Sequence, residues 1–133
     1  MKQPKVTAIY YKVGRIKMTI AKAAHIKAAY IFVNKNHLLH IAGTHTKELQ
    51  ALGFTAKDFV KHVAQSFTRI YKDKKTNALF LVVYHPEITH SAVIQLNYVE
   101  NFEFWEIKTA APYRTAFFKN KLLVWRKGAH PLK

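Results

Sequence analysis

Cysteine is absent from this chain of 133 residues, and glycine and proline are scarce, with four residues each. Without cysteine there is no disulfide framework, no thiolate metal site and no cysteine nucleophile. No apolar run approaches the ~18 residues that a membrane helix needs, because lysine interrupts the candidate segments near the N-terminus. We therefore expect a soluble protein without a membrane partner, and a chain without disulfides suits a cytoplasmic location.

Acidic residues are the second shortage, with 7 Asp and Glu against 22 Lys and Arg and a formal net charge of +15. Residues 1–47 and 107–133 contain none of the seven acids, which all lie between them. We expect the two acid-free ends to come together and form one positive surface. Such a surface favours nucleic acid as the partner, with an anionic membrane or an acidic protein as the alternatives.

These shortages also disfavour two kinds of chemistry. The seven carboxylates are not spaced to share a metal ion, so a Mg²⁺-dependent nuclease is not expected. Glycine-rich phosphate-binding loops are missing, which argues against nucleoside triphosphate chemistry. We expect no metal and no other cofactor.

The composition, with 50% hydrophobic and 14% aromatic residues, is typical of one globular domain, which we assign to residues 1–133. Residues 6–13 and 15–20 have strand patterns on either side of Gly14-Arg15, which predicts a hairpin. Residues 21–29 are Ala-rich and fit a helix or a strand equally well.

A short buried strand at residues 30–33 precedes two predicted helices. Asn34 is the expected N-cap of a helix over residues 35–52, which Gly43 can divide into two pieces. A capping-box pattern then opens a second helix over residues 55–66.

Strand patterns dominate the rest of the chain, at residues 67–72, 78–84, 91–98, 102–108 and, after a short helical turn, 122–125. Turn residues connect them, including Asp73-Lys-Lys-Thr-Asn77 and His85-Pro86-Glu87. We predict an α+β fold in which an N-terminal hairpin and two helices pack on a four- to five-stranded antiparallel sheet. The helices should cover one face and leave the other free to bind a partner.

The segment WEIKTAAPYR, residues 105–114, is a strand that runs into cationic and hydroxyl groups. Alternation places Glu106 and Lys108 on one face and Thr109 on the other. In the alternative interpretation, Lys108 and Glu106 form an ordinary ion pair on the surface, and Thr109 caps the turn that follows. Tyr113-Arg114 fits a stacking face and a phosphate-binding fork, or two ordinary surface residues.

Three histidines, His37, His40 and His45, fall on the first predicted helix. Zinc is disfavoured because helical ligand pairs favour an i, i+4 spacing with a third ligand nearby. In one interpretation the histidines occupy surface or core-boundary positions and have no chemical role. In the other, one of them is an acid/base catalyst, since imidazole exchanges protons near neutral pH. Histidine with Lys, Thr and Arg is sufficient for a ribonuclease that uses no metal.

Several segments together resemble the phage-associated branch of the barnase/EndoU/colicin/RelE superfamily of small ribonucleases: NHLLHIAGTHTKEL at 36–49, FTRIYK at 67–72, AVIQLN at 92–97, and FWEIKTAAPYR followed by KNKLLVW. The resemblance implies that His37 or His40 is the helix histidine of that group. It also implies that Lys72 is the basic residue of the first meander strand and Lys108-Thr109 the pair at the end of a late strand.

The hypothesis is therefore a metal-independent endoribonuclease that cleaves RNA by 2′-hydroxyl transesterification. Its candidate catalytic residues are His37, His40, Lys108 and Thr109, and its candidate RNA-binding residues are Lys35, Lys72, Tyr113 and Arg114. The resemblance implies a toxin or a phage RNase, an acidic immunity protein or antitoxin as partner, and delivery into a target cell as an alternative location. The alternative function is a non-catalytic basic module that binds RNA or DNA.

Overall fold

The computed structural model of the protein describes residues 9–84 and 90–128. These residues form β1 Tyr10–Ile16, α1 Met18–Ala24, β2 Ala29–Asn34, α2 Lys35–Thr44, α3 Thr46–Ala51, α4 Ala56–Ser66, β3 Arg69–Lys72, β4 Leu79–Val83, β5 His90–Val99, β6 Phe104–Arg114, a 3-10 helix Thr115–Asn120 and β7 Leu122–Arg126. The α+β class is confirmed. The predicted turn at residues 85–87 and the first residues of the predicted hairpin, 6–8, lie outside the described residues.

All seven strands belong to one sheet, in the order β1-β2-β6-β5-β4-β3-β7. The predicted meander is confirmed, because β3, β4, β5 and β6 pair in succession and antiparallel. The predicted final strand is also confirmed as an edge strand, β7, which pairs with β3. The prediction of an entirely antiparallel, smaller sheet is wrong, because β2 pairs with β6 in parallel. An alternating apolar pattern predicts burial but does not specify the neighbour or its direction.

The predicted N-terminal hairpin is also wrong. β1 runs straight through Gly14 and pairs antiparallel with β2, with a bulge where Lys12 pairs with Phe32 and Gly14 with Ile31. A Cβ atom at Gly14 would lie 3.0 Å from the carbonyl oxygen of Ala64 on α4. The glycine therefore allows close approach of a helix and does not make a turn.

The N-termini of the two predicted helices are confirmed. The side chain of Asn34 accepts a hydrogen bond from the backbone N–H of Asn36 at 2.7 Å, and Thr55 Oγ1 accepts one from the backbone N–H of Asp58 at 3.1 Å. The first predicted helix is indeed divided, but at His45 and not at Gly43. With α1 the described α-helices number four, two more than predicted.

The helices pack on one face of the sheet, which we call the helix face. Its core joins strand residues such as Ile31, Leu96 and Ile107 to Phe59 and Val63 of α4. The opposite face, which we call the second face, was predicted to be free, and this is true only in part. The 3-10 helix covers its β3–β5 half, where the rings of Tyr71 and Phe118 stack at 4.6 Å.

The remaining half of the second face, over β1, β2 and the start of β6, is lined by aromatic side chains. The rings of Tyr10, Phe32 and Phe104 contact one another edge to face, with centroids 5.1 to 6.4 Å apart. The side chain of Glu106, which pairs with Phe32, therefore lies beside a packed aromatic layer that restricts its movement.

The close packing of β1 against α4 can be tested with a pair of glycine substitutions. Gly14→Ala should lower the free energy of unfolding by about 1–3 kcal/mol, because the added methyl group forces β1 and α4 apart. Gly43→Ala should raise it by about 0.5 kcal/mol, because that glycine lies in a helix with no atom within 4 Å of its Cβ position. Urea unfolding measures both free energies. Equal effects of the two substitutions would contradict the close packing of β1 against α4 at Gly14.

Candidate active site where α2 meets β6

The end of β2 brings a helix N-terminus beside a strand. The parallel pairing of β2 with β6 stops at Val33 and Ile107, and the chain of β2 turns directly into α2 at Lys35. β6 continues to Arg114, and within the described residues no strand pairs with its residues 108–114 on that side. Helices α2 and α3 contact β6 there instead. The first turn of α2 therefore lies next to the WEIKT part of β6.

His37 makes this contact. Its Nδ1 atom lies 3.2 Å from the backbone carbonyl oxygen of Ile107, which can only accept a hydrogen bond. Nδ1 therefore carries the proton, and in the neutral ring Nε2 keeps the lone pair. The side chain of His37 is 34% exposed.

The carboxylate of Glu106 lies at the centre of the site. Among the described residues it is the only buried carboxylate, with 8% of the residue exposed. Its Oε2 atom is 3.5 Å from the hydroxyl of Tyr10 and 3.7 Å from Nδ1 of His37, and its Oε1 atom is 3.4 Å from Nζ of Lys108. A buried carboxylate needs such partners because desolvation disfavours an isolated charge. One oxygen of the carboxylate is thus within ion-pair distance of His37, and the other is within ion-pair distance of Lys108.

Lys108 and Thr109 follow at an irregularity of β6. Leu96 of β5 pairs with Ile107 and Gln95 pairs with Thr109, so Lys108 has no partner on β5. This bulge shifts the alternation by one residue, because Ile107 and Ala110 both belong to the core of the helix face. The prediction that Thr109 faces away from Glu106 is therefore wrong. Thr109 takes the face of Gln95, which Glu106 shares through its pairing with Asn97.

His40 and Lys35, the other candidates on α2, are both exposed. His40 lies one turn beyond His37, and its Nε2 atom is 3.4 Å from Oγ1 of Thr44 on the same helix. Lys35 is the first residue of α2, and its backbone N–H donates to the carbonyl of Ile9. The structure thus brings His37 to the carboxylate and leaves His40 on the outer side of the helix.

Lys72 is not brought to this site. It pairs with Leu79, which pairs with Leu96, which pairs with Ile107, so three strand spacings, or about 14 Å, separate it from β6. Paired residues share a face, and Leu79 and Leu96 belong to the core of the helix face. Lys72 therefore lies on the wrong side of the sheet for a ligand held at Glu106.

Tyr113 and Arg114 lie at the far end of β6. Five and six residues separate them from Lys108, which is about 17–20 Å along a strand. Arg114 is exposed, and the half-buried ring of Tyr113 contacts Phe117 at 4.5 Å. Burial raises the pKa of the Tyr113 hydroxyl above its usual value. Lys108 and Arg114 are therefore too far apart to bind the same phosphate group.

The two acid-free ends of the chain do come together, because α1 packs against β7. They enclose a groove of about 420 Å³ whose lining includes Arg15, Lys17, Trp125 and Lys127 and no carboxylate. We call it the basic groove. It adjoins the C-terminal end of β1, whereas Tyr10 at the other end contacts Glu106, about 20 Å away. The cations of the basic groove are therefore separate from the His37 site.

In residues 9–84 and 90–128, no three His, Asp or Glu side chains come close enough together to hold a metal ion. None of the helices in the same part of the chain is long and apolar enough to cross a membrane. Comparisons with protein-family models, with curated proteins and with solved structures gave no match for this chain.

Sequence reasoning missed two members of the site, the carboxylate of Glu106 as its centre and the hydroxyl of Tyr10. A signal for Glu106 was present, because it is a charged residue within the apolar run FEFWEIK. No such signal existed for Tyr10. Its position depends on β1 pairing with β2 across the sheet, and the incorrect hairpin obscured that arrangement.

The central carboxylate predicts a difference between two glutamates. Glu106→Gln should lower the free energy of unfolding by about 1–2 kcal/mol, because the amide replaces a charge that accepts from the Tyr10 hydroxyl and lies within ion-pair distance of His37 and Lys108. Glu100→Gln, at an exposed turn, should change it by less than about 0.5 kcal/mol. Chemical denaturation measures both values. If the two substitutions had the same small effect, the carboxylate would not be holding its neighbours.

Proposed function

We propose that this protein is a metal-independent endoribonuclease that cleaves RNA by transesterification at the His37 site. The observation that carries the proposal is the arrangement of His37 and Lys108 on opposite oxygens of one buried carboxylate. A proton acceptor and a proton donor are thereby placed beside one carboxylate, with the hydroxyl-bearing Thr109 on the same face of the sheet. Transesterification of RNA needs a base for the 2′-hydroxyl and an acid for the leaving oxygen, and His37 and Lys108 are the groups that can supply them.

The reaction follows from the roles of these groups. Nε2 of His37 accepts the proton of the ribose 2′-hydroxyl, and O2′ bonds to phosphorus. The bond between phosphorus and O5′ breaks, and O5′ takes a proton from the ammonium group of Lys108. The products are an RNA end with a 2′,3′-cyclic phosphate and an RNA end with a free 5′-hydroxyl.

Glu106 and Thr109 assist this reaction without exchanging protons with the RNA. The carboxylate stabilises the imidazolium that forms on His37, and the carbonyl of Ile107 keeps the ring in one orientation. The Thr109 hydroxyl can donate to a non-bridging phosphate oxygen as negative charge develops there. This arrangement supports His37 over His40 as the acid/base residue.

The biological setting is part of the same proposal. The resemblance of residues 30–127 to the phage-associated branch of the barnase/EndoU/colicin/RelE superfamily supports a toxin or a phage RNase acting on cytoplasmic RNA, whether made there or delivered. A net charge of +15 also suits an acidic immunity protein or antitoxin as inhibitor, because opposite charge speeds association.

One observation favours a second candidate, a non-catalytic RNA- or DNA-binding module. The lining of the basic groove contains three cations and two aromatic rings and no carboxylate, and the groove lies about 20 Å from the carboxylate of Glu106. Such a groove binds a nucleic acid backbone whether or not catalysis takes place. The two candidates therefore differ in turnover and not in affinity.

The proposal predicts different effects for the two histidines on α2. His37→Ala should slow the cleavage of a single-stranded RNA by about 100-fold to 10,000-fold, because the base is lost. His40→Ala, one turn along the same helix, is the matched control and should leave the rate within about threefold, since its side chain is exposed. The assay is run in EDTA, and the new RNA ends are identified as 2′,3′-cyclic phosphates by mass spectrometry.

The second candidate predicts a different set of results. The wild-type protein would bind RNA and DNA equally, with an affinity that falls steeply as salt rises, and would leave both intact. Cleavage that survives His37→Ala unchanged would instead refute the assignment of the base.

A further inference from the structure

A second pocket lies along β6, beyond the His37 site. It has a volume of about 540 Å³ and is formed where the end of β6 meets the 3-10 helix and the junction of α2 with α3. Its lining includes His45, Pro112, Tyr113, Arg114, Ala116 and Phe117. Most of this lining is apolar, and Phe117 is 37% exposed, which is unusual for so large an apolar ring.

The lining suits a flat aromatic ligand. The rings of Tyr113 and Phe117 stand edge to face at 4.5 Å and present aromatic surface beside the proline ring. Stacking on such surfaces is how proteins bind nucleobases in single-stranded RNA, because every base has a π face. An aliphatic ligand would gain nothing from this choice of residues over leucine or valine.

Two polar groups of the pocket match the rest of a nucleotide. Arg114 is exposed at the end of β6, where its guanidinium can bind a phosphate. The Nδ1 atom of His45 lies 2.6 Å from Oε1 of Glu48, so Nδ1 donates to the carboxylate. This leaves Nε2 of His45 as the ring atom that can bond to the edge of a base.

The pocket is continuous with the His37 site through one strand. Lys108 and Tyr113 are both on β6, and five residues of strand span about 17 Å. Stacked nucleotides rise about 3.4 Å each, and an extended strand covers the distance with fewer. A chain with its scissile phosphate at Lys108 therefore reaches the pocket with a base roughly three to five nucleotides away.

We propose that this pocket binds a nucleobase of the RNA strand that is cut at His37, with Arg114 on the adjoining phosphate. The inference rests on the proposed function for its catalytic part and on the pocket itself for its binding part. It makes the enzyme one that prefers longer single strands, since a dinucleotide fills the His37 site but cannot reach Tyr113.

The test compares a dinucleotide with an octanucleotide as substrates. Ala116→Leu fills the pocket from an exposed position without removing any packing, and Ala23→Leu at an exposed position of α1 is the matched control. Ala116→Leu should lower kcat/KM for the octanucleotide by about 10-fold to 100-fold and leave the dinucleotide unchanged, and Arg114→Ala should lower kcat/KM for the octanucleotide by a similar factor. A loss equal for both substrates, or no loss with either variant, would overturn the proposal.

A binding measurement separates this proposal from the proposed function. A fluorescent 2′-O-methyl octanucleotide has no free 2′-hydroxyl and is not cleaved, so its affinity can be measured by anisotropy even if the protein has no RNase activity. Weaker binding by Ala116→Leu, but not by Ala23→Leu, would support the pocket regardless of catalysis. Unchanged affinity would show that the pocket does not bind a base of the oligonucleotide and would refute the proposal.

Discussion

The parallel contact between β2 and β6 determines where the rest of the candidate site lies. It is three residue pairs long and stops at Val33 and Ile107. Because β2 ends there and β6 does not, α2 can begin beside an unpaired strand edge, and the cap at Asn34 fixes where its first turn starts. His37 then meets a backbone carbonyl that a continuing β2 would have occupied. A longer β2 would pair with this part of β6 and exclude His37 from it.

Electrostatics explains why the groups at this junction belong together. The chain is strongly basic, yet one of its seven carboxylates is buried among cationic and hydroxyl groups. Glu106 lowers the repulsion between Lys108 and an imidazolium that lie on its two sides, and they in turn offset its desolvation. The aromatic layer of Tyr10, Phe32 and Phe104 supports it from the same face of the sheet. The site is therefore small and held from several directions.

Among the described residues, cations lie in several separate places, which include the His37 site, the end of β6 and the basic groove. A long polyanion can touch all three, whereas a small substrate can touch only one. Net charge alone predicts attraction to a polyanion and says nothing about this division.

The fold class, the meander, the N-caps, the edge strand and the WEIKT strand followed from local patterns of burial, capping and turn residues, which depend on neighbours in sequence.

What the sequence by itself determined is most of the local elements from Tyr30 onward and the chemical groups that they carry, including the presence of an imidazole near Asn34 and a lysine and threonine on the strand WEIKT. Only the tertiary structure decided that β2 lies parallel to β6, that Gly14 sits in a bulge against Ala64, and that Thr109 turns to the face of Glu106. Strand partners and bulges depend on residues far apart in the chain. A one-residue shift reverses every side chain beyond it, so no local pattern contains that information.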